Sequence, residues 1–155
     1  MKIAGLTGHP VEVARSLLGA ELRAFDVRVR IVEVEAYGGP EDGPWPDPAA
    51  HSYRGLTVRN SVMFGPAGRL YAYLSYGMHV CANVVTGPEG TASAVLLRAG
   101  EVVEGAHLAR ERRPGVRDRD LARGPANLCR TLGIGLDLGG SDLATGPVRL
   151  ELTAP

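Results

Sequence analysis

The stretch Arg30–Tyr37 constrains the fold of this chain most, because it has the pattern of a β-strand that ends in a carboxylate beside an aromatic ring. Side chains two residues apart point to the same side of a strand, so Glu35 and the final tyrosine share a face. Val29 and Ile31 make the earlier part of that face apolar, and Glu33 and Glu35 make its continuation acidic. Such a face predicts a cleft at the end of the strand. The alternative is that both glutamates are solvated and pair with arginines.

Length and charge limit the class of protein. A chain of 155 residues suits one domain with a real hydrophobic core. Its formal net charge is zero, so a site for a polyanion must be a local patch. No apolar run approaches the about 20 residues of a membrane span, and the start lacks the pattern of a signal peptide. These features predict a cytoplasmic protein with no membrane partner.

The reactive residues are few. Cys81 and Cys129 lack the spacing of a disulfide framework or a zinc motif, and we expect both to be reduced and buried. The histidines are scattered without metal-ligand spacing, so no metal is expected. Lys2 is the only lysine and lies at the terminus, which argues against an amine nucleophile that forms a Schiff base.

Turn signals and hydrophobic periods divide the chain into short elements. The loop Gly38–Pro48 is rich in glycine, proline and acidic residues. The predicted helices are Pro10–Leu18, Val102–Arg113 and Gly124–Leu132, and the predicted extended segments are Glu21–Tyr37, Ala92–Arg98 and Val148–Leu152.

The stretch Leu70–Val85 predicts a β-hairpin with a glycine in its turn. Tyr71 and Tyr73 point to one face of the first strand, whereas Tyr76 lies at the tip with Met78. An exposed aromatic tip suggests a partner, and some proteins insert apolar or aromatic wedges between base steps of DNA. A tyrosine-rich strand packed in an ordinary core is the alternative.

Three further features have two interpretations each. Arg98 is either a surface residue at a strand end or the ionic partner of Glu35. His51 is either a hydrogen-bonded structural residue or part of a pocket rim. The arginines between Arg110 and Arg130 form either a phosphate-binding patch, helped by the free N–H groups of the helix that starts near Gly124, or a solvated surface.

Together these segments resemble the alkyladenine (3-methyladenine) DNA glycosylase family, over the range from Ala14 to Leu143. The resemblance is specific because several motifs occur in the same order. They are Ile31–Tyr37, Gly39–Asp42, Ala50–Ser52, Arg59-Asn60 with Met63-Phe64, Tyr71–Asn83, Leu96–Arg98, and Gly124-Pro125 with Leu128-Cys129.

The resemblance implies an α+β fold, with residues 1–155 forming one DNA glycosylase domain around a curved, mainly antiparallel sheet, with a protruding hairpin and flanking helices. It implies a monofunctional DNA glycosylase of base excision repair, which hydrolyses the N-glycosidic bond of alkylated or deaminated purines flipped out of double-stranded DNA. No cofactor is expected, and we expect a monomer.

The resemblance also implies residue roles. Glu35 is implied to be the general base that activates a water, and Arg98 to position that water. The residues implied to form the base pocket are Tyr37, His51, Tyr73, Asn83 and Leu96, with Asn83 excluding normal guanine.

The resemblance also implies which residues contact DNA. Tyr76 is implied to fill the gap left in the helix, with Met78 nearby in the minor groove. The expected phosphate contacts are Arg59, Arg119, Arg123 and Arg130.

The sequence departs from the family pattern in three places. The loop segment Gly43–Pro48 is extra, and Asn127 stands where a lysine is common. Nothing up to Pro155 matches the C-terminal strand that family members normally place beside the active site. The sequence therefore also allows a non-catalytic protein that binds DNA lesions, and less readily a small-molecule hydrolase that uses Glu35.

Overall fold

The computed structural model describes residues 2–153 and places one curved antiparallel sheet against three α-helices. The helices are α1 (Pro10–Leu17), α2 (Ala106–Arg112) and α3 (Pro125–Leu132). The strands are β1 (Glu21–Ala24), β2 (Val27–Tyr37), β3 (Leu70–Ser75), β4 (His79–Thr86), β5 (Ser93–Glu104), β6 (Ala122–Arg123) and β7 (Val148–Glu151). Short 3-10 turns cover Ser61–Phe64, Asp118–Asp120 and Leu136–Leu138.

The sheet has the order β3-β4-β5-β2-β1-β7. The short strand β6 pairs with β5 at Ala99 and Gly100, beyond the point where β4 stops pairing. This architecture confirms the predicted α+β class and the curved antiparallel sheet with flanking helices. The C-terminal end at Pro155, where the sequence lacked a match to the family strand, lies outside the described residues.

The main core lies between the helices and one face of the sheet. Leu17 of α1, Ala109 of α2 and Leu132 of α3 are buried in the same cluster as strand residues such as Val84 and Val95. The other face carries a smaller buried cluster around Met63 and Tyr71. Because the helices cover only one face with the main core, the second face is available for a site.

An irregularity in the pairing of β2 with β5 exchanges the two faces of β2 halfway along the strand. Ile31 pairs with Gly100 and Glu33 pairs with Ala99, so Val32 between them has no partner on β5. Val32 is 52% exposed. An extra residue of this kind is a β-bulge, and it moves every later side chain to the opposite face.

The bulge corrects the prediction made from the alternation of β2. Val29 and Ile31 face the main core before the bulge, and Val34 and Ala36 pack against that core after it. Glu35 therefore lies on the face opposite to the one that Val29 and Ile31 occupy, not on its continuation. The site arises on the second face of the sheet rather than at the end of the core.

Several predicted elements are confirmed, among them α1, α3, the hairpin of β3 and β4, and the strand β7. The prediction of one extended segment over Glu21–Tyr37 is wrong, because β1 and β2 form a hairpin. Its turn consists of Phe25 and Asp26, which both have positive φ. A tight hairpin turn needs this left-handed backbone, and the sequence supplies no glycine there to signal it.

The predicted helix over Val102–Arg113 is also wrong in its first part. The strand β5 continues to Glu104 because it stays paired with β2, and α2 begins only at Ala106. Gly105 separates the two elements with φ +80°, a conformation that favours glycine. Within the described residues, no helix is long and apolar enough to cross a membrane.

Candidate active site

The register of the sheet places four site residues in one row across four strands. Glu35 pairs with Leu96, Leu96 with Asn83, and Asn83 with Tyr71. Paired residues on antiparallel strands project from the same face, so these side chains share the second face of the sheet. In the neighbouring row, Ala36 pairs with Val95, and both pack in the main core. Because a shift by one residue would expose this apolar row, the core fixes the register of the site row as well.

Arg98 joins the two glutamates of β2. Its Nε lies 2.8 Å from Glu33 Oε1, and its Nη1 lies 3.1 Å from Glu35 Oε2. The other oxygen of Glu35 accepts a hydrogen bond from the Tyr37 hydroxyl. The carboxylate of Glu35 thus has a fixed donor on each oxygen and remains accessible, with 43% of its side chain exposed.

A small cavity adjoins this group of side chains, and Tyr37, which donates to Glu35, also lines the cavity. Its lining is mostly aromatic and apolar, with one buried amide. The lining residues are Tyr37, Ala49, His51, Met63, Tyr71, Tyr73, Asn83 and Ala94.

Three rings pack around this cavity. Tyr71 and Tyr73 stack with centroids 5.8 Å apart, and the His51 ring meets Tyr73 edge-on at 4.5 Å. His51 Nδ1 and the Tyr71 hydroxyl lie 3.1 Å apart. The walls are thus held by contacts with one another, and a planar ligand would meet rings in fixed orientations.

The walls of the cavity favour their uncharged forms. Burial raises the pKa of Tyr37 to about 12, with the neighbouring Glu35 carboxylate adding to the effect. Burial also raises the pKa of Tyr73 above its usual range. Partial burial lowers the pKa of His51, and the charge of Arg59 lowers it further.

Asn60 fastens the loop that carries His51, a role that the sequence analysis did not find. Its side-chain amide donates to the carbonyls of His51 and Gly55, and its Oδ1 accepts from the Thr57 N–H. The Thr57 hydroxyl in turn accepts from the Asn60 N–H. The motif Arg59-Asn60 marked this place, but no local pattern indicated that Asn60 is buried.

Asn83 and Leu96, both expected in the base pocket, differ in whether they line the cavity. Asn83 is buried, lines the cavity and donates to the Tyr71 carbonyl. Leu96 is buried between Asn83 and Glu35 in the row, and it is not among the described residues that line the cavity.

The side chains at the hairpin tip are mostly exposed. Tyr76 is 96% exposed and Met78 73% exposed. Tyr76 and Gly77 both have positive φ, which folds the turn between β3 and β4. The tip therefore presents a phenol ring and a thioether to solvent, with little packing against the remainder of the domain.

Many arginines of the predicted basic patch are engaged within the protein. Arg110 pairs with Asp118, and Arg117 pairs with Asp120. Arg112 and Arg113 donate to backbone carbonyls.

The arginines expected to contact phosphate lie at the surface. Arg119 and Arg123 line an open groove together with Glu33, and Arg123 also contacts Asp120 at 3.3 Å. Arg59 is exposed beside the aromatic cavity, and Arg130 is exposed in the last turn of α3. Glu33 lines this groove, and Tyr37, which donates to Glu35, lines the aromatic cavity.

Comparison with known proteins identifies a family for this chain. The family model described as methylpurine-DNA glycosylase (MPG) matches residues 5–155. A protein of Nocardia farcinica named "Putative 3-methyladenine DNA glycosylase" is 61% identical over 158 aligned positions, which cover 100% of this chain and 74% of that protein.

Two further relatives carry the same name. The protein of Rhodococcus jostii is 60% identical, with 93% of this chain and 66% of the relative covered. The protein of Mycobacterium tuberculosis is 60% identical, with 98% and 76% covered. The chain thus spans between about two thirds and three quarters of the length of these relatives. With the family match over nearly its whole length, the chain belongs to the methylpurine-DNA glycosylase family, whose name denotes DNA-repair hydrolases of N-glycosyl bonds.

Proposed function

We propose that this chain is a monofunctional DNA glycosylase that removes alkylated or deaminated purines flipped out of duplex DNA. The observation that carries the proposal is the position of the Glu35–Arg98 pair beside a ring-walled cavity, with Tyr37 as the shared residue. A carboxylate next to an aromatic slot suits a reaction that holds a flat base while a water attacks the adjacent sugar.

Glu35 is the general base in this proposal. It accepts a proton from a water whose oxygen forms a bond to the sugar C1′, while the bond from C1′ to the purine breaks and its electron pair goes to the base. A purine alkylated on a ring nitrogen carries a positive charge, so it leaves as a neutral molecule. An uncharged deaminated purine leaves as an anion and takes a proton from water. The ionised carboxylate also stabilises the positive charge that develops on the sugar, and Arg98 positions the water.

The pocket walls favour such a base. Tyr37, His51 and Tyr73 provide rings for stacking, and an electron-rich ring attracts a cationic purine. Because the pKa values of Tyr37 and Tyr73 are raised and that of His51 is lowered, these walls stay uncharged near neutral pH and do not repel a cation.

Selectivity comes from shape and from the cost of flipping. Asn83, which is buried and lines the cavity, would clash with the exocyclic amine of guanine, and Leu96 lies beside Asn83 in the same row. A damaged base also costs less to unstack than a normal one.

The hairpin tip and the surface arginines bind the DNA. Tyr76 fills the space left by the flipped nucleotide, and Met78 lies in the minor groove. The phosphate contacts are assigned to Arg59, Arg119, Arg123 and Arg130. The protein acts as a monomer without a cofactor.

Release of free base from lesion-containing oligonucleotides under single-turnover conditions tests this proposal. Hypoxanthine, 1,N6-ethenoadenine and 3-methyladenine are the probes, and free base and strand length are measured separately. The expected result is free base with an intact abasic strand. Because the sole lysine is Lys2, borohydride should trap no adduct between protein and DNA.

Two other outcomes would contradict the proposal. Tight lesion binding without base release would indicate a binding protein, and a covalent borohydride adduct would indicate an amine nucleophile. The Tyr76→Ser variant checks the role of the hairpin tip, and we expect it to lose lesion affinity. Its melting temperature should stay unchanged because the ring is solvent-exposed.

A further inference from the structure

Glu33 binds the arginine of the candidate site more closely than Glu35 does. The Glu33 contact to Arg98 Nε is 2.8 Å, against 3.1 Å from Arg98 Nη1 to Glu35. The hydrogen bond to Glu33 is also the strongest of the influences that raise the pKa of Arg98. Arg98 is therefore bound more closely to Glu33, although Glu35 is the residue that is expected to act as the general base.

The pairing irregularity between β2 and β5 places the side chains of Glu33 and Arg98 on the second face of the sheet, where Glu35 lies. Glu33 pairs with Ala99, and the next pair is Val34 with Leu97, so the register passes over Arg98. Arg98, which has no paired residue on β2, thus contacts Glu33, the residue that directly follows the bulge on β2. A regular register continued from Ile31 would also pair Glu33 with Arg98, but it would place Glu33 and Glu35 together on the face of Ile31, which carries the main core.

We propose that Glu33 is a positioning residue for base removal, because it fixes Arg98 so that one nitrogen, Nη1, reaches Glu35. The inference rests on the proposed glycosylase function and deepens it.

The geometry of a guanidinium supports this role. Free arginine and carboxylate groups prefer two parallel hydrogen bonds, which occupy both oxygens of the carboxylate. With Nε engaged by Glu33, Arg98 makes one contact to Glu35 Oε2, and Oε1 is left to the Tyr37 hydroxyl. Each Glu35 oxygen therefore keeps a lone pair with which it can hold and deprotonate a water.

Charge balance supports it as well. Two carboxylates share one guanidinium, so the cluster of Glu33, Arg98 and Glu35 carries a net negative charge. That charge lies beside the place where the sugar becomes positive. Removal of the Glu33 charge leaves a neutral Arg98–Glu35 pair.

The surrounding charges do not substitute for Glu33. Arg119, Asp120 and Arg123 line the groove on its other side, and Asp120 is itself paired with Arg117 and Arg123. Among the described residues, Arg98 is the cation within 4 Å of Glu33.

A double-mutant cycle tests the proposal by single-turnover base release. Glu33→Gln should slow release about 10- to 100-fold, the scale expected when a catalytic group is displaced by about 1 Å. Lesion affinity should change less than about twofold, because Glu33 is assigned no DNA contact. In the Arg98→Ala background, Glu33→Gln should have almost no further effect, since its action passes through Arg98.

Glu101→Gln is the matched control. Glu101 lies on the same sheet and pairs with Arg30 at 3.6 Å, away from the site. It should release base at the wild-type rate. Equal losses for Glu33→Gln with and without Arg98, or no loss at all, would overturn the role of Glu33. A wild-type chain that releases no base would instead contradict the proposed function.

A spectroscopic readout does not depend on activity. The Nε–H signal of Arg98 in a 15N-correlated NMR spectrum should be protected from exchange in the wild type and in Glu101→Ala. It should be lost in Glu33→Ala. A signal that persists in Glu33→Ala would show that Glu33 does not hold Arg98 and would overturn the proposal.

Discussion

At the scale of single residues, the candidate site combines side chains that the sequence suggested with contacts that it could not. The alternation around Glu35 and the position of Arg98 at the end of an apolar run suggested an ion pair, and the two groups are 3.1 Å apart. The shared attachment of Arg98 to Glu33 depends on pairing between distant strands. The burial of Asn60 likewise depends on packing across a loop, for which the sequence has no periodic signal.

The pKa of Tyr37 leads to a prediction about stability at high pH. Burial raises this pKa from about 10 in an unfolded chain to about 12 in the folded protein. Between these values the unfolded state loses the phenol proton and the folded state keeps it. Fewer protons on the unfolded state mean that stability falls as pH rises through this window.

The Tyr37→Phe variant should therefore show a smaller fall in melting temperature than the wild type between pH 9 and pH 11. Thermal unfolding by circular dichroism measures the difference, and Tyr76→Phe is the control because Tyr76 is exposed. An equal fall in wild type and Tyr37→Phe would show that the Tyr37 hydroxyl does not resist ionisation.

At the scale of elements, the strand pattern was predictable but its local breaks were not. Arg30–Tyr37 lies in a strand, as the sequence indicated, yet the bulge at Val32 reverses the faces of that strand. The turn at Phe25 and Asp26 uses left-handed backbone without glycine. Such breaks are set by the partner strand and by core packing, and they carry no reliable local signal.

The junction between β5 and α2 gives a prediction at this scale. A Cβ on Gly105 would lie 2.1 Å from the Asp26 carbonyl oxygen, and φ there is +80°. Gly115 has the same φ, but a Cβ would meet nothing within 4 Å. Gly115→Ala should cost about 1–2 kcal/mol of unfolding free energy, the cost of left-handed backbone alone.

Gly105→Ala should cost clearly more than Gly115→Ala in a urea titration, because the β1–β2 turn must move as well. Equal losses for the two variants would mean that the turn yields freely. In that case, the close approach of Gly105 to Asp26 would not be the reason that this position needs glycine.

The loop that carries His51 gives a second prediction. Asn60→Ala removes side-chain bonds to the carbonyls of His51 and Gly55 and to the Thr57 N–H, all in a buried position. We expect a loss of about 1–3 kcal/mol, typical of leaving buried polar groups without partners. Asn127→Ala removes one exposed bond to the Arg123 carbonyl and should cost less than about 0.5 kcal/mol.

Denaturant unfolding of both variants provides the comparison. Because the loop supplies His51 to the cavity, Asn60→Ala should also weaken binding to lesion-containing DNA. Normal stability in Asn60→Ala would show that solvent replaces these bonds at no cost.

At the scale of the whole molecule, composition and net charge excluded more than they identified. A formal charge of zero gave no sign of a nucleic-acid partner, and many arginines of the basic patch are paired internally. Two exposed arginines line the groove that contains Glu33: Arg119, and Arg123, which also pairs with Asp120. DNA affinity is therefore expected to depend on a few phosphate contacts, with a moderate salt dependence.

The salt dependence of binding checks this expectation. Each phosphate contact contributes about 0.9 to the slope of log K against log salt. Arg123→Ala should lower the slope by about that amount, whereas Arg149→Ala on the edge strand β7 should leave it unchanged. A slope unaffected by Arg123→Ala would remove Arg123 from the DNA interface.

The central claim is that the Glu35 carboxylate activates the water that releases the base. Single-turnover release by Glu35→Gln, measured beside the wild type and the Glu101→Gln control, tests it most directly. The variant keeps the shape of the side chain and loses the base, so the rate should fall about 10²- to 10⁴-fold while lesion binding persists. Release by Glu35→Gln at the wild-type rate would contradict the claim.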